Sequence, residues 1–381
     1  MEKIENIIIK HFSKSATISE LEELTKWLDK EKNKLYFKEY VKLNYYIDYN
    51  LLDFELSQER EKILKRTKLK RVRLLNNFYK YAAAIVVLIS LGYFILTPDE
   101  LINEVPIIVN NDIKIGTDKA ILTTENGKDF ILEEGKQFMS DNVSSDGKTI
   151  VYKSVGKDVV NAEIAYNYIT VPRGGQFYIK LSDNTKIWLN SDSKIKYPKE
   201  FVANQDREVE LIYGEAYFDV SPSTNHNGSK FKLLSRGQKV EVLGTEFNVK
   251  AYQDEIHTYT TLVEGKVQVF NAKGGRQLAP GQQSIVNVET LNLNINEIDV
   301  YNHISWKDGV FSFKSVALKD IVKVLERWYD VEITIENKAI EDIKFIGVFR
   351  KDYALEKIIK QIKNTNFINA YEINNQKISI K

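Results

Sequence analysis

Apolar residues repeat with changing periods along this chain. Ile4, Ile7, Ile8 and Phe12 suggest a first amphipathic helix, and "TISELEELTKWLDK" places Leu21, Leu24 and Leu28 on one helical stripe. Thr17 and Glu20 stand ahead of that stripe in capping-box spacing. "YFKEYVKLNYYIDYNLL" predicts a third helix, rich in tyrosine. From about residue 115 the period shortens to two. Phe177, Ile179 and Leu181 alternate with polar neighbours, Asp183-Asn184 marks a turn, and Ile187 and Leu189 resume the pattern. Val240, Val242, Phe247 and Val249 do the same around Gly244. "LIYGEAYFDV" and "LVEGKVQVF" share a Leu-x-x-Gly step into an alternating run, and "ILEEGKQF" repeats it more briefly. Glycines recurring inside alternating strands predict bulges or tight corners in a coiled, many-stranded sheet, so residues 115–292 read as one all-β domain.

After residue 305 the helical period returns, interleaved with strands. "ALKDIVKVL" and "ALEKIIKQI" repeat one pattern, with Leu318, Ile321, Val322 and Leu325 on one helix face and Leu355, Ile358, Ile359 and Ile362 on the other. Short strand patterns flank both. The order β-α-β-β-α-β predicts a split βαβ unit with two helices on one sheet face. A small helical unit at the N-terminus is marginal alone, which makes its apolar face, with Trp27 beside the leucines, a candidate docking surface.

One stretch follows none of these periods. Ala82 to Leu96 carries no charge, and Phe78 to Thr97 spans 20 residues, the length needed to cross a hydrocarbon core. Lys80 lies near its end, where its stem reaches the headgroups. Nine residues, Ile85 to Ile89 together with Leu91, Phe94, Ile95 and Leu96, each favour insertion by about 0.3–0.6 kcal/mol, together about 3–5 kcal/mol. Eight basic residues and one acid lie between Arg60 and Arg73. Positive charge abutting an apolar helix fixes the cytoplasmic side, so Arg66, Lys68, Lys70, Arg71 and Arg73 are topology determinants. The expected layout is a helical cytoplasmic domain over 1–60, a basic juxtamembrane segment over 61–77, one transmembrane helix over 78–97 and a linker over 98–114. The all-β domain then occupies 115–292 and an α+β domain 305–381, both on the far side of the inner membrane.

Overall charge adds little: 54 Lys and Arg nearly cancel 53 Asp and Glu, so no net field points to nucleic acid. With no cysteine, disulfides, thiolate metal sites and cysteine nucleophiles are excluded. No phosphate-loop, dinucleotide, zincin or nucleophile-elbow motif occurs. The histidines His11, His226, His257 and His303 are scattered, and no cofactor or metal is expected. Asp219, Glu241 and Glu264 fit solvated strand faces, although a glycosidase pair is defined by distance in space rather than in sequence. Arg173-Gly174-Gly175 reads as a turn before the Phe177 strand.

Several stretches carry a resemblance. "VPRGGQFYIKLSDNTKIWLNSDSKIKYP" (171–198), "LGTEFNVKAY" (243–252), "LVEGKVQV" (262–269) and "LAPGQQS" (278–284) resemble the periplasmic domain of FecR-type anti-sigma regulators. The N-terminal helices ending in Trp27-Leu28 resemble that family's sigma-binding region. The C-terminal unit resembles the extra domain of members that serve outer-membrane nutrient receptors. The resemblance implies a relay rather than an enzyme. Leu21, Leu24, Trp27 and Leu28 would hold an extracytoplasmic-function sigma factor. The far-side domains would sense the N-terminal signalling domain of a TonB-dependent outer-membrane transducer, with an exposed sheet edge of the C-terminal domain as the expected contact. Staged proteolysis involving a site-2-type membrane protease would carry the signal across. Some members split themselves at a Gly-Thr bond by an N-to-O acyl shift, and Gly244-Thr245 matches that position. A membrane-anchored periplasmic carbohydrate-binding or glycan-processing protein is the alternative reading. It accounts for the aromatic-rich β domain but for neither the cytoplasmic helices nor the C-terminal unit.

Overall fold

The computed structural model describes residues 4, 7, 18–28, 30, 33, 107–110, 112–140, 143–153 and 164–381. The basic residues Arg66, Lys68, Lys70, Arg71 and Arg73 and the apolar segment 78–97 lie outside these. Among the described residues no helix is long and apolar enough to cross a membrane. Near the N-terminus, helix α1 (Ile18–Leu28) opens one residue after Thr17 and places Glu20 in its first turn and Lys26 in its last. Both charges suit the helix dipole. Leu24 and Ile7 are buried against each other, with Ile4, Trp27 and Leu28 packed around them.

Among the described residues eighteen strands, from β2 (Thr117–Thr123) to β19 (Leu293–Glu297), form the β domain. The ladders resolve into two sheets that share one long strand. The N-terminal half of β11 (Arg207–Asp219) pairs with β10 (Ser193–Pro198) and β12 (Phe231–Ser235). Its C-terminal half pairs with β9 (Lys186–Leu189) and β14 (Glu246–Ala251). Gly214 sits between the halves at φ +99°, and a Cβ there would lie 2.2 Å from Ser193 Oγ. The other glycine motifs do the same work. At Gly135 the chain leaves β3 (Asp129–Glu133) in the first sheet for β4 (Phe138–Ser140) in the second. Gly244 joins β13 (Gln238–Val242) to β14, and Gly265 joins β15 (His257–Glu264) back to β16 (Val267–Asn271). Gly135, Gly244 and Gly265 all have positive φ. The inward residues of both sheets form one core, with Phe218 stacked on Phe247 at 5.0 Å.

A buried ion pair pins the start of this shared strand. Arg207 Nη1 lies 2.7 Å from Asp183 Oδ2, both side chains 2% exposed, and Arg207 also donates to the Ser221 and Ser229 carbonyls. Asp183 in turn accepts from the Thr185 amide and hydroxyl, which closes the turn expected at Asp183-Asn184.

The C-terminal domain departs from the single-sheet expectation. Among the described residues, β20 (Val310–Ala317) and β22 (Lys344–Arg350) pair only with each other. A separate four-stranded sheet runs β1 (Ile107–Asn110), β23 (Tyr371–Asn374), β24 (Lys377–Ile380), β21 (Glu332–Ile335). Past the short helix α2 (Tyr301–Ile304) come α3 (Leu318–Tyr329) and α4 (Leu355–Ile362), which share one core with both sheets. The physical reason lies in α3, where Trp328 and Tyr329 are buried along with the apolar stripe. One sheet face covers only one side of such a helix. The edge beside β23 is covered by β1 in parallel, from inside the stretch read as linker.

Gly214→Ala tests the strand crossing. Its methyl group meets Ser193 in a left-handed backbone, so stability falls by about 2–4 kcal/mol. Urea unfolding of both proteins measures the loss.

Candidate functional site

Gly244-Thr245 sits at a crossing between the sheets. Gly244 has φ +148°, a conformation left to glycine. Hydrogen bonds flank the pair, from Ser223 N to Leu243 O at 2.5 Å and from Val220 N to Thr245 O at 3.1 Å. Thr245 is 5% exposed, and its hydroxyl donates to Lys266 O at 3.0 Å. Gly265 closes the other side: a Cβ there would lie 2.9 Å from both Gly244 O and Thr245 Oγ1. The corner therefore packs the Gly244 carbonyl oxygen and the Thr245 hydroxyl against Gly265, where a Cβ would not fit.

A second assembly joins the two domains. Arg173 of the Arg-Gly-Gly turn donates to Glu326 O at 2.9 Å and to Val331 O, and Gly174 N donates to Arg327 O at 2.7 Å. The turn thus caps the C-terminal end of α3, where carbonyls lack helical partners and a cation suits the dipole. Arg327, in the last turn of α3, reaches back. It forms a two-pronged pair with Asp254 at 2.7 and 2.9 Å, meets Glu255 at 3.2 Å and lies 3.5 Å above the Tyr252 ring. Burial alone lowers the Arg327 guanidinium, but Tyr252, Asp254 and Glu255 more than offset it. Asp254 is held below the usual carboxylate range because Arg327 overrides its burial.

Lys351 completes the junction. Only 3% exposed, it donates to Gln176 Oε1 at 2.8 Å and sits 3.6 Å from the Trp328 ring, with Trp306 and Phe311 about it. Burial pushes its ammonium down to about 7, against the pull of Glu215 and Asp118. Burial also raises Glu215, which Asn190 and Asn248 hydrogen-bond. Trp306 Nε1 donates to Asn248 Oδ1 at 3.3 Å, extending the network across the junction.

The remaining sequence-named residues stay apart. Leu24 is buried in the N-terminal cluster, Trp27 and Leu28 are half-buried there, and Leu21 lies on the same helix. Asp219 pairs with Lys186, Glu241 with Lys230 and Lys239, and Glu264 is exposed. His226 bonds Ser221 Oγ at 2.9 Å, and burial pushes His303 down to about 4. Among the described residues no group of histidines and carboxylates could hold a metal ion. Lys351 and Arg327 gave no sequence signal, since neither belongs to a motif. The Arg173 turn and the α3 helix were each legible in the sequence, but their contact was not.

Lys351 carries a definite pH dependence. Its folded-state pKa of about 7 lies below the ordinary lysine value, so between pH 7 and about 10 the unfolded chain binds the extra proton. Its contribution therefore rises with pH through that window and is flat, at its least favourable, below it. Lys351→Met removes the penalty, on the order of 4 kcal/mol at most at pH 7. Thermal melts of the variant run above the original at pH 7, and the gap narrows toward pH 10.

Family models match both folded units. Residues 167–268 match the FecR protein family, and residues 310–380 match the FecR C-terminal family. A solved candidate anti-sigma factor from Parabacteroides distasonis ATCC 8503, determined at 1.65 and at 2.50 Å resolution, is 29% identical. The match covers 56% of this chain and 98% of that one, with a TM-score of 0.51. No curated protein matches the chain. Two FecR-family matches in order on one chain, beside a solved relative described as an anti-sigma factor, support a FecR-type anti-sigma factor.

Proposed function

We propose that this chain is a single-pass inner-membrane regulator that holds an extracytoplasmic-function sigma factor through residues 1–60. It answers a TonB-dependent outer-membrane transducer through its β and C-terminal domains. The observation that carries the reading is the pairing of the two FecR units with a basic run and a 20-residue apolar stretch ahead of them. A sigma factor must be held where transcription occurs and a transducer met beyond the membrane, so the chain needs one crossing between the two. The α1 face around Leu24, Trp27 and Leu28 is the sigma-binding surface in this reading. Loss of the far-side domains through staged proteolysis, ending in a site-2-type membrane protease, releases the signal.

Self-cleavage at Gly244-Thr245 is the first stage. The Thr245 hydroxyl oxygen attacks the Gly244 carbonyl carbon, forming a C–O bond as the Gly244–Thr245 C–N bond breaks. The hydroxyl proton ends on the freed Thr245 amine. Water then hydrolyses the ester, leaving a Gly244 carboxylate and restoring the Thr245 hydroxyl. The left-handed Gly244 backbone and the adjacent hydroxyl support this step. The fragments 1–244 and 245–381 remain paired through β11 with β14 and β13 with β16.

Two measurements test the reading. Full-length chain recovered from its host with a tag, in detergent, carries one stoichiometric sigma factor by mass spectrometry; tight binding of an oligosaccharide and no sigma factor would overturn it. On a denaturing gel the chain splits into two fragments, Thr245→Ser retains the split and Thr245→Ala migrates only at the intact 44.1 kDa. An intact band from the original chain would remove the cleavage step alone.

A further inference from the structure

Three connections of the β domain meet around a cavity of about 340 Å³. They are the turn 182–184 ahead of β9, the segment 199–206 joining β10 to β11, and the turn that leads from β11 to β12. The wall is rich in carboxamides. Asn184, Asn204, Gln205, Asn225 and Asn227 all line it, and Asn227 Nδ2 donates to Asn204 Oδ1 at 3.1 Å, tying two of the connections together. Asn184, Asn204 and Asn227 take the left-handed backbone that asparagine tolerates, whereas Gln205 and Asn225 have no such reason to be amides. Buried Arg207 also lines the cavity, with its Nη atoms engaged by Asp183 and by the Ser221 and Ser229 carbonyls. Its Nε and the Oγ of Ser182, another wall residue, are buried and have no hydrogen-bond partner among the described residues.

We propose that this cavity is a binding site for a neutral sugar ring. Charge decides the class first. Arg207 is the one Lys or Arg on the wall among the described residues, and Asp183 already neutralises it at 2.7 Å. Burial and Arg207 hold the His226 ring below its ordinary value, so this wall residue is neutral at pH 7. An incoming anion therefore meets no unpaired cation to offset its loss of water. Hydrogen bonding then narrows the choice. A sugar hydroxyl both donates and accepts, and a carboxamide offers both roles in one group. Five carboxamides and the Ser182 hydroxyl supply these roles from all three connections. Phe201 and Val202 add an apolar part for the C–H face of a ring, and the volume lies within the range of about 300–1,000 Å³ usual for ligand cavities. The site is separate from the sigma-holding reading and from the Gly244-Thr245 bond, and its failure leaves both standing.

Ligand-detected saturation-transfer NMR on the full-length chain, in a sugar-free detergent, tests this with glucose, galactose, mannose and N-acetylglucosamine. At least one of these binds saturably in the millimolar range. Ala203→Trp fills the cavity from an exposed turn position and weakens that binding at least tenfold. Gln205→Ala combined with Asn225→Ala does the same without adding bulk, and both positions are exposed, so thermal melts stay unchanged. Absence of saturable binding by every sugar overturns the proposal, as does binding that either folded variant retains. Inorganic phosphate, acetate or calcium bound here in preference to the sugars overturns it as well.

Discussion

The β domain depends on a backbone constraint: one chain must cross repeatedly between two sheets. A crossing turns the strand out of one ladder and into the next within a few residues. Side chains with a Cβ resist the left-handed backbone this takes. Gly135, Gly214, Gly244 and Gly265 occupy the crossings, all at positive φ. Gly214 and Gly265 are fixed twice over, by backbone conformation and by neighbours too close for a methyl group. The shared core of the two sheets follows from these corners, because the strands on either side of each corner lie in different sheets and turn their inner faces to one core.

The same corners create the chemistry proposed for the chain. Two crossings lie side by side, and Gly265 faces the Gly244 carbonyl and the Thr245 hydroxyl. In the proposed reaction the fold provides the tightly packed corner and the next position provides the hydroxyl. Thr245 carries that hydroxyl, one residue ahead of β14.

The junction between the domains rests on three cations in unlike settings. Arg173 satisfies the open carbonyls at the end of α3, Arg327 is fixed over Tyr252 by Asp254 and Glu255, and Lys351 is enclosed by tryptophans. The first two are paired, and pairing keeps their charge inside the interface. Lys351 has a neutral amide and aromatic faces instead, so desolvation wins and its ammonium weakens. The interface is thus held by two firm contacts and one that responds to pH.

The sequence by itself determined the local pattern: α1 from its leucine stripe, the alternating strands, the Asp183-Asn184 turn and the glycine corners. Each depends on residues close in sequence, where period and backbone preference decide the outcome. Motifs in the β domain were also enough to point to the FecR family. The tertiary structure alone decided the rest. That the Leu-x-x-Gly steps cross between sheets, that the Arg173 turn caps a helix more than 150 residues away, and that β1 covers β23 are long-range pairings with no local signature. The division of the C-terminal domain into two sheets belongs with them. Helix periodicity shows which side chains are apolar, but not whether one sheet or two will cover them, because that depends on every surface competing for the same core.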